Sequence, residues 1–108
     1  AVEPEDSAVI SGCEVGSHLI QGIGAGFIPE ILNLNVVDKV LSISNNSAFT
    51  YSRELAKCEG IAAGISSGAV LAAAIEVHEE KKMKDKNTVI ILPSFAERYL
   101  STSLFSEI

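Results

Sequence analysis

The run Thr88-Val89-Ile90-Ile91-Leu92 shows no alternation of polar and apolar residues, and Pro93 stops it. A short, bounded apolar run of this kind reads as a strand buried on both faces, as in a parallel sheet. A parallel sheet needs crossover connections, and the residues upstream supply one. A helix is predicted from about Ser67 to Lys82. Its first half, AVLAAAI, is apolar on every side and should be buried, with small side chains that let neighbours come close. Its second half, EVHEEKK, turns to solvent, and Glu79 to Lys86 carry both signs of charge as a solvated face or loop does.

The same alternation of elements recurs earlier in the chain. Lys39 to Ser44 alternates apolar and polar residues, a strand pattern. Asn45, Asn46 and Ser47 then offer capping oxygens. Ala48, Tyr51, Leu55 and Cys58 recur in steps of three and four along one helical stripe, which Gly60 ends. Ile61 to Ile65 is short and apolar enough for a brief buried strand. Strand, helix, strand, helix, strand is an α/β order, and ligands of such sheets sit beyond the carboxyl ends of strands. Two loops lie there: Gly64 to Gly68, and Pro93 to Tyr99. Residues 5–26, with five glycines, oppose regular structure, and so long a loop is usually functional when ordered.

With 108 residues the chain makes one domain or part of one. Its abrupt start, Ala1-Val2-Glu3-Pro4, without an initiating methionine, suggests a piece of something longer. At 47% hydrophobic and 20% charged residues the composition is globular. The net charge of -6, with no basic patch, argues against nucleic acid as a partner. No apolar run is long enough for a membrane span, and the first residues do not form a signal peptide. Cys13 and Cys58 have neither a CxxC nor a zinc spacing, and no metal site is expected. Two reduced thiols in a cytoplasmic protein is the expected state.

Three places could carry chemistry. A helix starting at Ser66-Ser67-Gly68 offers free backbone N–H groups, a partial positive charge and hydroxyls. It could hold a phosphate, a carboxylate or a heterocyclic nitrogen, and equally it could be a plain cap. Gln21-Gly22-Ile23-Gly24-Ala25-Gly26 departs from the GxGxxG fingerprint and follows no convincing strand, yet its amides could approach a ligand. His18, beside it, has no paired base or metal ligand near it in sequence, His78 reads as surface, and Glu97 with Arg98 reads as a surface or loop-fixing pair.

Taken together, HLIQGIGAGFIP (residues 18–29), EGIAAGISSGAVLAAA (59–74) and VIILPSFAERYLST (89–102) resemble, in order and spacing, the carboxyl-terminal portion of cysteine synthase, or O-acetylserine sulfhydrylase. VEP and VDKVLSISN fit too, so the resemblance covers residues 1–108. It implies an incomplete part of the large domain of a fold-type II enzyme, a mostly parallel α/β sheet flanked by helices. It implies pyridoxal 5'-phosphate as cofactor, O-acetylserine and sulfide as substrates, cysteine and acetate as products, a cytoplasmic homodimer, and the tail of serine acetyltransferase as a partner. Ser66 would meet the cofactor's ring nitrogen, and Gly22, Ile23, Gly24 and Ala25 would line the substrate or partner cleft. The family's cofactor-bearing lysine and its TSGNTG and GTGGT loops do not occur, so no residue is assigned as catalytic and the chain alone is expected to be inactive. The alternatives are a cystathionine β-synthase-like relative and a truncated, non-catalytic paralogue acting as an interaction module. Ala96 stands where the family commonly has glycine, which would strain the loop if that position needs φ > 0.

Overall fold

The computed structural model describes residues 1–106; the last two residues of the 1–108 segment lie outside the described residues. Strand β1 (Val2–Pro4) pairs in parallel with β2 (Leu41–Ile43), Val2 opposite Leu41 and Pro4 opposite Ile43. Helix α1 (Asn45–Glu59) follows β2 directly, and α2 (Ile65–His78) packs against α1 and against both strands. The order is α/β, with a two-stranded parallel sheet among the described residues.

α1 begins earlier than the apolar stripe indicates. Its cap is Ser44, whose Oγ accepts from Ser47 N at 3.1 Å, and Asn45 to Ser47 lie inside the helix. Asn45 instead reaches outward, donating to Asp6 and accepting from Leu19 N. Gly60 ends α1 at φ 69°, as its position predicts. Of the predicted stripe, Ala48 and Leu55 are buried, Tyr51 is half-buried and Cys58 is exposed. Arg53 ties the chain's end to this helix, donating to the carbonyls of Leu104 and Ser103 and lying over the Phe49 ring.

α2 starts at Ile65 and stops at His78, short of the predicted Lys82, where the charged residues take over. The first turn, Ile65 to Ala69, is buried on all sides, and beyond it one face, Ala72 and Ala73, continues into the core beside Ile20, Leu41, Ile43, Ala48, Tyr99 and Leu104. The opposite face, Leu71, Ala74 and Ile75, is only half-buried, so the helix is not covered on every side. The two helices meet at Gly68. A Cβ there would stand 2.0 Å from Ala48 O and 2.6 Å from Ser52 N, so only glycine allows this approach.

Two predicted strands are not formed. Ile61 to Ile65 contributes a single antiparallel bridge, Ala63 with Phe95, and Ile61 is exposed. Thr88 to Leu92 lies outside the sheet, with Val89 and Ile91 exposed. The pattern encodes a strand, but a ladder needs a neighbour, and no described residue supplies one. Ala96 opens a short 3-10 turn (Ala96–Tyr99) without positive φ and is buried, so it imposes no strain.

Gly68→Ala is expected to lower stability by about 3 kcal/mol, the upper end for overpacking, because rigid backbone opposes the new methyl. Gly60→Ala should cost about 1 kcal/mol, from left-handed backbone strain alone, since a Cβ there meets open space. Urea titrations followed by circular dichroism give both values; equal costs would show that the helix contact is looser than described. Ala96→Gly should lose about 0.5–1 kcal/mol through added chain entropy, and a gain would reveal hidden strain.

Candidate active site

The start of α2 is held from outside. Gly64, its N-terminal cap, donates to Ser94 O at 2.8 Å, and Ser67 Oγ donates to the same oxygen at 3.5 Å. A Cβ on Gly64 would meet Ser94 Oγ at 2.2 Å and the Tyr99 ring at 2.6 Å. The two loops expected beyond strand ends are therefore in direct contact. The first intrahelical bond runs from Gly68 N to Gly64 O at 3.2 Å, so the amides of Ile65, Ser66 and Ser67 precede the helical ladder.

The serines are not caps. The cap carries no side-chain hydrogen bond, and Ser66 lies inside the first turn. Ser66 is 2% exposed, and its Oγ makes no hydrogen bond with the described residues. The hydroxyl keeps a small accessible surface, so it is open to an outside partner. Among the described residues the side-chain oxygen that is buried without a partner is Ser94 Oγ, pressed against Gly64.

The glycine loop reaches the same place. A Cβ on Gly22 would lie 3.9 Å from Ser66 Oγ. Gly22, Gly24 and Gly26 all adopt positive φ, which turns the loop back on itself three times. His18 fixes it. Ile20 N donates to His18 Nδ1 at 3.1 Å, so Nε2 carries the ring proton and donates to Gly24 O at 3.0 Å. Gly24 has no room for a side chain between Pro4 and His18. His18 is thus a loop-holding residue, a role its isolation in sequence hid. Gly22, Ile23, Gly24 and Ala25 line a cavity of about 670 Å³ together with Val2, Glu3 and Ser7. Ser66 does not line it; Gly22 separates the two.

Glu3, buried beside this cavity, is spent on structure. Its carboxylate accepts from the amides of Ile10 and Ser11 and from Ser11 Oγ. Glu97 and Arg98 are exposed and form no ion pair with each other among the described residues. His78 lies 3.4 Å from Thr88 Oγ1 at the surface. Lys39 bonds Glu80, which raises the lysine and lowers the carboxyl from their ordinary values. Both cysteines are free and exposed, and the Glu54 carboxylate bonded to Cys58 pushes that thiol up, away from thiolate chemistry.

The site is therefore a helix start with a free hydroxyl and free amides, faced by a glycine loop and without a charged group of its own. That donor set fits the edge of a neutral heteroaromatic ring. Residues 1–94 match the family model of pyridoxal-phosphate dependent enzymes, and the chain belongs to that family. Within it, the chain is 54% identical to cysteine synthase of Buchnera aphidicola from Acyrthosiphon pisum, over all of this chain and 36% of that protein. It is also 54% identical to cysteine synthase A of Escherichia coli K12, over all of this chain and 35% of that protein. The crystal structure of cysteine synthase from Entamoeba histolytica superposes with a TM-score of 0.95 at 48% identity, over 97% of this chain and 31% of that one. The chain spans about a third of the length of the curated relatives it matches.

His18→Ala should speed amide hydrogen exchange from Gly22 to Gly26 while leaving α1 and α2 protected. Unchanged exchange in the loop would remove His18 from the holding role.

Proposed function

We propose that residues 1–108 are the carboxyl-terminal, incomplete part of the large domain of a cysteine synthase. The complete enzyme would convert O-acetylserine and sulfide to cysteine and acetate in the cytoplasm. The observation that carries the reading is Ser66, a nearly buried hydroxyl that serves neither as cap nor as partner to any described residue. Pyridoxal 5'-phosphate, when bound, supplies the electron sink for exchanging the substituent on the substrate's β-carbon.

Ser66 Oγ meets the ring nitrogen in this reading. A hydroxyl is neutral and can donate as well as accept, so it orients the ring without holding a proton on that nitrogen. A carboxylate at the same place would hold one and strengthen the sink. The tempered sink suits elimination and addition at the β-carbon. Gly64 keeps the helix start close under the Ser94 loop and so sets the height of Ser66. Gly22 to Ala25 form the wall beside the substrate, and the same wall would take the carboxyl-terminal tail of serine acetyltransferase. Next to that wall, Phe27, Ile28, Ile31 and Leu34 expose apolar side chains, a surface for the rest of a longer chain or a second copy to cover; the complete enzyme in this reading is a homodimer. The two unpaired exposed thiols agree with a reducing compartment.

In the complete enzyme carrying this segment, Ser66→Ala should retain the cofactor, shift its absorption and emission spectra, and slow acetate elimination about 10-fold, the loss of one modest hydrogen bond. Unaltered spectra with an unaltered elimination rate would contradict the assignment of Ser66.

A further inference from the structure

Asn45 opens α1 but does not cap it; Ser44 does. Its amide turns instead toward two segments far away in sequence. Oδ1 accepts from Leu19 N at 2.9 Å, and Nδ2 donates to Asp6 Oδ2 at 3.0 Å. The partners fix which end of the amide is which, because a backbone N–H needs the oxygen and a carboxylate needs the nitrogen.

Asp6 and Leu19 bracket residues 7–18, a stretch with neither strand nor α-helix between them. Asn45 closes that loop from a rigid third element. Both ends of the bridge lead to the glycine wall. After Leu19, the side chain of Ile20 is fully buried and its amide is bonded to His18, and the wall at residues 22–25 follows. Before Asp6 stands Pro4, wedged against Gly24. The other side of the site depends on the same helix, since Ala48 and Ser52 of α1 press against Gly68 of α2. α1 thus touches the Ser66 helix start through its backbone and the glycine loop through Asn45.

We propose that Asn45 is a positioning residue that holds the wall at residues 22–25 in place relative to the Ser66 helix start, and so sets how tightly the cleft takes the amino-acid substrate. The inference rests on the reading of that wall as the substrate cleft; the two hydrogen bonds do not. An aspartate at this position would still accept from Leu19 N, and an anion in the first turn of a helix does not unsettle it. It would lose the donor to Asp6 and set two carboxylates against each other. Asp6→Asn added to it restores the pairing with donor and acceptor exchanged.

The test compares the complete enzyme carrying this segment with its Asn45→Asp form and with the form that combines Asn45→Asp and Asp6→Asn. Amide exchange is read without substrate, and steady-state kinetics with O-acetylserine. Asn45→Asp should speed exchange at Leu19 and at residues 22–26 and raise the KM for O-acetylserine at least about threefold, the loss of one hydrogen bond. kcat and the cofactor's spectrum should not change, since the binding wall moves and the reacting groups do not. The combined form should bring exchange and KM back close to the parent's. Unmoved exchange in Asn45→Asp would overturn the proposal, as would a combined form no better than the single one. A lowered kcat with an altered spectrum would overturn it by moving the effect to the helix start. Faster exchange with an unchanged KM would overturn it too, and there the failure belongs to the cleft reading, since the bridge itself would stand.

Discussion

Helix α2 starts in a gap bounded by the Ser94 and Tyr99 side chains at one end and by the backbone of α1 at the other. At Gly64 the Ser94 loop comes close enough to exclude a Cβ, and one turn later Gly68 lets the backbone of α1 do the same. Between these two contacts stand Ser66 and Ser67. The position of Ser66 follows from glycine on either side of it rather than from any bond of its own. A methyl group at either glycine would clash at this spacing and force the helix start, and the Ser66 hydroxyl with it, to shift. Packing density thus does what a hydrogen-bond network does at other sites.

Most of this was legible in the residues. β2, the two helices and Gly60 follow from period and punctuation. The GISSG stretch identifies the start of α2, and the cap at Gly64, one residue before the helix, leaves neither Ser66 nor Ser67 as the capping residue. The misses have a common physical origin. Thr88 to Leu92 and Ile61 to Ile65 have strand composition, but pairing is a property of two segments, and composition describes one. The full burial expected for AVLAAAI failed for the same reason: a helix apolar on all sides asks for neighbours on all sides. His18 was hidden because its partners, Ile20 and Gly24, offer backbone atoms, which no side-chain pattern announces.

The glycine loop and the helix start differ in what makes them rigid. The loop is held by one imidazole that accepts on one nitrogen and donates on the other, and by the wedge of Pro4 against Gly24. Glu3, next to Pro4 in β1, holds the stretch around Ile10 and Ser11 on the other side of the cavity. Strand β1 therefore anchors both walls, and its pairing with β2 joins them to the helices. Neither wall carries a charge free for acid–base work, which agrees with a site where a bound group supplies the reactivity and the protein supplies orientation.

We propose that Ser66 offers a neutral hydrogen-bond partner to a ring nitrogen. It is tested most directly by the magnetic-resonance shift of that nitrogen, isotope-labelled, in the complete enzyme carrying this segment. The account predicts a hydrogen-bonded, unprotonated nitrogen whose signal moves when Ser66 becomes alanine. A protonated nitrogen, or a signal indifferent to that substitution, would contradict it.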